Sequence, residues 1–170
     1  VLSLVSPGDE VLLPAPYWVS YAAIAELAER KCVEMPTTID SNFKVTGALL
    51  EQYITPKTRL IIFSSPCNPT GSVFSKAELE SIAAVVKKQP NLYVLCDEIY
   101  EYINFTGEKH TSLAEFTDIK EQVITVNGFS KGFAMTGWRL GYIGAPLAIA
   151  KACDKIQGQF TSGTCSIAQK

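Results

Sequence analysis

Three apolar runs each lead into residues able to do chemistry. Leu60 to Phe63 runs into Ser64-Ser-Pro-Cys-Asn-Pro-Thr-Gly71, which sets Asn68 between two prolines. Leu92 to Cys96 is followed by Asp97-Glu-Ile-Tyr100, and Val123 to Val126 by Asn127-Gly-Phe-Ser-Lys131. Arg139 follows Ser130 with eight residues between them. In an open α/β sheet, ligands bind beyond the carboxyl ends of the strands. If these runs are strands of one sheet, a single edge gathers an amide, a carboxylate, a phenol, an amine and a guanidinium.

Each residue also has an ordinary explanation. Asp97 fits the cap of a following segment, and Asn68 fits a Pro-Asn-Pro turn. Lys131 fits a solvated surface lysine, and Arg139 a surface partner of Asp97 or Glu98. The set as a whole favours a ligand between the groups. A lysine desolvated beside cationic groups has a depressed pKa and attacks an aldehyde to form a Schiff base. A carboxylate holds a pyridine nitrogen protonated and makes the ring an electron sink. A phenol and an amide hydrogen-bond a ring oxygen. An arginine, with Ser130, takes a phosphate through its planar fork of donors. The ligand so described is pyridoxal phosphate.

The elements that must carry these groups follow from the pattern. Glu10 to Leu13 and Cys32 to Met35 read as short strands. Tyr17 to Arg30 has Tyr21, Ile24, Ala25 and Ala28 at helical spacing. Thr46 to Ile54 reads as a helix that stops before Pro56. Ser75 opens a helix with Glu78 three residues on, a capping box, and Leu79, Ile82, Ala83 and Val86 line one face. Strands apolar throughout and separated by helices imply a parallel sheet covered on both faces, an α/β architecture in three layers. The short stretch from Ser130 to Arg139 is too brief for a parallel crossover. The strand at Leu140 to Ile143 is therefore expected to run antiparallel to its predecessor. Pro146 to Phe160 reads as a helix leaving the sheet.

Composition narrows the function classes. The chain has 170 residues, 47% hydrophobic and 19% charged, with 15 basic against 17 acidic side chains. A globular fold with a sizeable core is expected, and neither a nucleic-acid nor a membrane partner is. Five cysteines at wide spacings with no C-x-x-C fit a reducing cytoplasm better than a disulfide framework. His110 is the sole histidine, in a polar, loop-like stretch, so a Ser-His-Asp triad or a zinc site has little to draw on.

The ordered motifs resemble those of the class I pyridoxal-phosphate aminotransferases, the fold-type I family. Gly128-Phe-Ser-Lys-Gly-Phe-Ala-Met-Thr-Gly-Trp-Arg-Leu-Gly141 is similar to the family's lysine segment. Ser65-Pro-Cys-Asn-Pro-Thr-Gly71 resembles its S-P-x-N-P-T-G loop, and Asp97-Glu-Ile-Tyr100 its D-E-x-Y. Pro7-Gly-Asp-Glu10 and Pro16-Tyr-Trp18 match further landmarks in order. The resemblance covers essentially the whole chain. It implies that Lys131 carries the cofactor and shuttles a proton, and that Asp97 pairs with the ring nitrogen. Tyr100 and Asn68 would bond the ring oxygen, and Trp18 would stack on the ring rather than serve as a core aromatic. Ser130 and Arg139 would hold the phosphate, with help from the Gly128 backbone. Asn68 and Trp18 would also border the substrate.

Within the family, Pro16-Tyr-Trp-Val-Ser-Tyr21 and Ala134-Met-Thr-Gly-Trp-Arg139 most resemble bacterial-type aspartate aminotransferases. A ping-pong exchange between an L-amino acid, expected to be aspartate, and a 2-oxo acid, expected to be 2-oxoglutarate, is implied. So is a homodimer with its active site at the subunit interface, which Gln159 to Gly163 would approach. Family chains are more than twice as long. Residues 1–170 are therefore expected to be the central part of the large cofactor-binding domain. The N-terminal arm and the C-terminal small domain with the arginine for the substrate α-carboxylate would lie outside. Two rivals stand beside this reading: a C–S β-lyase of the same fold, which often shows D-E-x-H, and a non-catalytic aminotransferase-like sensor domain.

Overall fold

A computed structural model describes all 170 residues. Six strands form one sheet: β1 (Glu10–Ala15), β2 (Lys31–Pro36), β3 (Thr58–Ser64), β4 (Tyr93–Asp97), β5 (Val123–Gly128) and β6 (Gly141–Gly144). Their spatial order is β2-β1-β3-β4-β5-β6. The first five strands pair in parallel and β6 is antiparallel to β5. The short link after Ser130 thus has the consequence expected of it. Four helices accompany the strands: α1 (Ser20–Leu27), α2 (Gly47–Tyr53), α3 (Lys76–Lys87) and α4 (Leu147–Phe160).

Alternation along the central strands explains the layers. Val11 and Leu13 of β1, with Leu60 and Ile62 of β3, pack on Tyr21 and Ala25 of α1. The intervening residues Leu12, Ile61 and Phe63 point the other way, with Val94 and Cys96 of β4, onto Leu50 of α2 and Leu79, Ile82 and Val86 of α3. The two faces of β1 and β3 are therefore both covered, which is what makes their sequence apolar throughout. The capping box that starts α3 is present: Ser75 Oγ accepts from Glu78 N–H and the Glu78 carboxylate accepts from Ser75 N–H. Thr46 caps α2 in a similar way, accepting from Leu49 N–H at 3.1 Å.

Two elements depart from expectation. The first helix is shorter than its apolar spacing implied, eight residues from Ser20. This frees Trp18 from the helix and leaves it in the loop after β1. The last strand, β6, is exposed at all four residues although it is largely apolar. No helix is long and apolar enough to cross a membrane.

The strand order reverses at β1. The chain moves from β1 outward to β2, then crosses back past β1 to β3 and continues to β4 and β5. Such a reversal opens a crevice at the carboxyl ends of the flanking strands. The loops after β1, β3, β4 and β5 all lie at that edge.

Candidate active site

The crevice is a cavity of about 530 Å³ lined by Trp18, Tyr21, Asn68, Asp97, Ile99, Tyr100, Val126, Ser130, Lys131, Thr136 and Arg139. All seven side chains singled out from the sequence are among them. The volume lies within the range of small-molecule and cofactor sites.

Asp97 is the last residue of β4, and in-register pairing holds it between Ser64 of β3 and Val126 of β5. Its Oδ1 accepts from Ile99 N–H at 3.1 Å, so it does cap the turn that follows. Its Oδ2 accepts from the Tyr21 hydroxyl at 2.7 Å. Burial pushes its pKa above the ordinary carboxylate value, against the pull of these two hydrogen bonds, with Glu98 next door adding to the rise. An ionised carboxylate has about four acceptor positions. The two used here leave capacity for a cationic partner in the cavity.

Asn68 reaches from the loop after β3 to Tyr100 in the loop after β4. Its Nδ2 donates to the Tyr100 hydroxyl at 3.5 Å, a long contact. Lys131 lies over the Tyr100 ring, with Nζ 5.9 Å from the centroid. Lys131 and Arg139 are both exposed. The desolvation anticipated for the lysine is thus not supplied by these residues.

Arg139 follows the short helical turn Thr136–Trp138 in the left-handed region, at φ 55°. Its Nη1 donates to Thr136 O at 2.7 Å. No ion pair joins it to Asp97 or Glu98, so the surface-partner reading fails. Glu98 is instead buried and faces His110. Trp18 is 43% exposed and meets Tyr21 edge-on, centroids 5.6 Å apart at 90°. A core aromatic would be covered. Gly128 sits where β5 and β6 approach closely, and a Cβ there would stand 2.8 Å from Leu140 O. The absence of a side chain lets the Lys131 loop begin directly above that pairing.

Tyr21 is the site residue that the sequence did not reveal. Its helical spacing with Ile24, Ala25 and Ala28 marked it as core, and its ring is indeed 5% exposed. Its hydroxyl meets Asp97 and its ring edge meets Trp18.

Comparison with known proteins is decisive on family. The family model for aminotransferases of class I and II matches residues 1–170. The chain belongs to this family. Among similar proteins, the bifunctional aspartate aminotransferase and glutamate/aspartate-prephenate aminotransferase of Petunia hybrida is 54% identical over all 170 residues, which cover 36% of its length. An aspartate aminotransferase of Pinus pinaster is 50% identical, with 35% of its length covered. Among solved structures, the aspartate aminotransferase from Rhizobium meliloti superposes with a TM-score of 0.96 at 40% identity, over 99% of this chain and 42% of that one. The chain therefore spans little more than a third of the length of these two curated relatives. Its fold is that of the fold-type I aminotransferases, a mostly parallel α/β sheet with one antiparallel pair.

Proposed function

We propose that this chain is the central part of the cofactor-binding domain of a pyridoxal-phosphate aminotransferase, and that the full-length protein exchanges an amino group between aspartate and 2-oxoglutarate. The observation that carries the reading is the convergence of Asp97, Lys131, Tyr100, Asn68, Trp18, Ser130 and Arg139 on one cavity. The donor set fits the group. A carboxylate with spare acceptor capacity stands at one wall, and an exposed primary amine and guanidinium stand at the others. Trp18 offers an uncovered ring.

When bound, pyridoxal phosphate supplies an aldehyde that condenses with primary amines and a ring that accepts the electron pair released at Cα. Lys131 would hold the group through Nζ and would move a proton at the substrate Cα. Asp97 would keep the ring nitrogen protonated by its negative charge. Tyr100 and Asn68 would hydrogen-bond the ring oxygen, and Trp18 would stack on the ring while bordering the substrate with Asn68. Ser130 and Arg139, with the Gly128 backbone, would bind the phosphate by charge-assisted hydrogen bonds.

Aspartate as substrate is supported by relatives whose names include aspartate and prephenate aminotransferases. A homodimer in the cytoplasm completes the reading. Five free cysteines support a reducing compartment. Exposed apolar side chains on β6 and α4, among them Tyr142, Ile143, Leu147 and Phe160, support burial against further protein.

The test uses the full-length protein. With pyridoxal phosphate it should show the visible absorption of a lysine-bound cofactor, and Lys131→Ala should abolish it. Aspartate with 2-oxoglutarate should yield oxaloacetate. Pyruvate from cystathionine without oxaloacetate from aspartate would replace the aminotransferase reading with a β-lyase. Cofactor binding without either product would favour the sensor.

A further inference from the structure

We propose that Tyr21 is a positioning residue that sets both the charge state of Asp97 and the pose of Trp18, and so ties the anionic and the stacking wall of the cavity to one helix. The inference rests on the pyridoxal-phosphate reading and extends it.

Three observations converge on the phenol. Its hydroxyl donates to Asp97 Oδ2 at 2.7 Å, across 76 residues of sequence. Its ring packs edge-on against Trp18 at 5.6 Å. The same ring is anchored in the smaller core cluster with Val11, Leu13, Leu60 and Ile62. The buried ring, packed on β1 and β3, thus fixes where the hydroxyl points.

The electrostatics give this contact its purpose. Asp97 is buried, and burial favours its neutral form. A ligand with a cationic ring nitrogen needs the anion. The groups facing Asp97 are few. Glu98 beside it opposes ionisation, whereas Tyr21 and the Ile99 N–H favour it. Cys67 stands near the phenol, and Tyr100, Lys131 and Arg139 share the cavity. Tyr21 is the side-chain donor in hydrogen-bond contact with the carboxylate. Burial and Asp97 itself push the phenol's own pKa upward, so it stays a donor at any ordinary pH. A hydrogen bond to a charged group is worth more than a neutral one, and its removal leaves a buried carboxylate less able to stay ionised.

The experiment compares wild type, Tyr21→Phe and a protein with a ring-fluorinated tyrosine at position 21, each as full-length chain. Pyridoxal-phosphate affinity is measured by equilibrium dialysis from about pH 4 to about pH 8, starting near the ordinary carboxylate value and running upward, the direction in which burial moves Asp97. Melting of the cofactor-free proteins is followed by circular dichroism. Tyr21→Phe keeps the ring against Trp18 and should melt close to wild type. Its affinity should fall about tenfold, as expected for one lost charge-assisted hydrogen bond, and the loss should set in at higher pH than in wild type. The fluorinated phenol is a stronger donor and should shift the onset to lower pH. A purely structural role cannot produce opposite shifts. Equal affinities and pH profiles in wild type and Tyr21→Phe would overturn the inference, as would shifts of both variants in the same direction. A wild type that binds no pyridoxal phosphate is a different result, and it overturns the reading underneath.

Discussion

His110 Nε2 lies 3.2 Å from Glu98 Oε2 in a nearly closed pocket, with 13% of the His110 side chain and 3% of the Glu98 side chain exposed. Ser112 Oγ donates to the other oxygen of the same carboxylate at 2.7 Å. Glu98 follows Asp97, the last residue of β4, so the pair ties the loop around residue 110 to the end of that strand. Glu98 raises the His110 pKa above its ordinary 6.5. Stabilisation from a raised base is complete below the unfolded value and is lost as pH rises through the folded one. Replacing the ring leaves a buried carboxylate without its cation, so His110→Ala should cost about 3 kcal/mol near pH 6. Urea unfolding of both proteins across pH should show the gap narrowing above neutrality. A gap that widens with pH would contradict the charge pairing.

Gly128→Ala tests the close approach of β5 and β6. The new Cβ would meet Leu140 O at 2.8 Å and Ile99 Cδ1 at 3.3 Å. The first obstacle is backbone and cannot swing aside. We expect a loss of about 2 kcal/mol, typical of overpacking, and weaker cofactor retention because Lys131 begins its loop there. Unchanged stability and unchanged retention together would show that the strands can part at no cost.

Asp97→Asn tests the ring-nitrogen partner. The amide keeps an acceptor for Tyr21 but carries no charge. Turnover should fall at least about a hundredfold, the scale seen when one preorganised electrostatic contact is removed, with the melting temperature nearly unchanged. A fall of less than about threefold would remove Asp97 from the proposed mechanism.

Ile82 of α3 is fully buried in the larger core cluster, between sheet and helix. Ile82→Ala should cost about 3 kcal/mol from lost burial and residual cavity. Ser75→Ala at the head of the same helix should cost about 1 kcal/mol. The two sites lie on different turns, so the double variant should show near-additive losses in chemical denaturation. A double variant no worse than Ile82→Ala alone would mean that the first turn of α3 contributes nothing to the native state.

The sheet and most of the site could be read from sequence because they rest on local pattern. Continuous apolar runs such as Leu60 to Phe63 occur where both faces of a strand are covered, and the residue after each run is placed by the strand itself. The antiparallel run of β6 follows from counting residues against the length that a parallel crossover requires. What stayed hidden depends on contacts far apart in sequence. Tyr21 sits on an apolar helical stripe, and periodicity does not tell where its hydroxyl points. Glu98 beside Asp97 looked like a surface carboxylate until His110 and Ser112 closed over it. The length of α1 was overread because apolar spacing continues on both sides of its true ends. Lys131 is exposed, against expectation, because a position beyond a strand end does not itself bury a side chain.

The antiparallel return at β6 has a consequence for how this protein tolerates rearrangement. Gly128 and Gly141 face each other in the ladder, and the segment between them carries both the amine and the guanidinium. Their separation is fixed by a closed backbone loop rather than by side-chain fit. A chain break or inserted residue between Phe129 and Leu140 would displace both groups at once. The polar stretch around Gly107, where an added Cβ would meet nothing within 4 Å, supplies no residue to the Asp97 cavity and is the better place for an insertion.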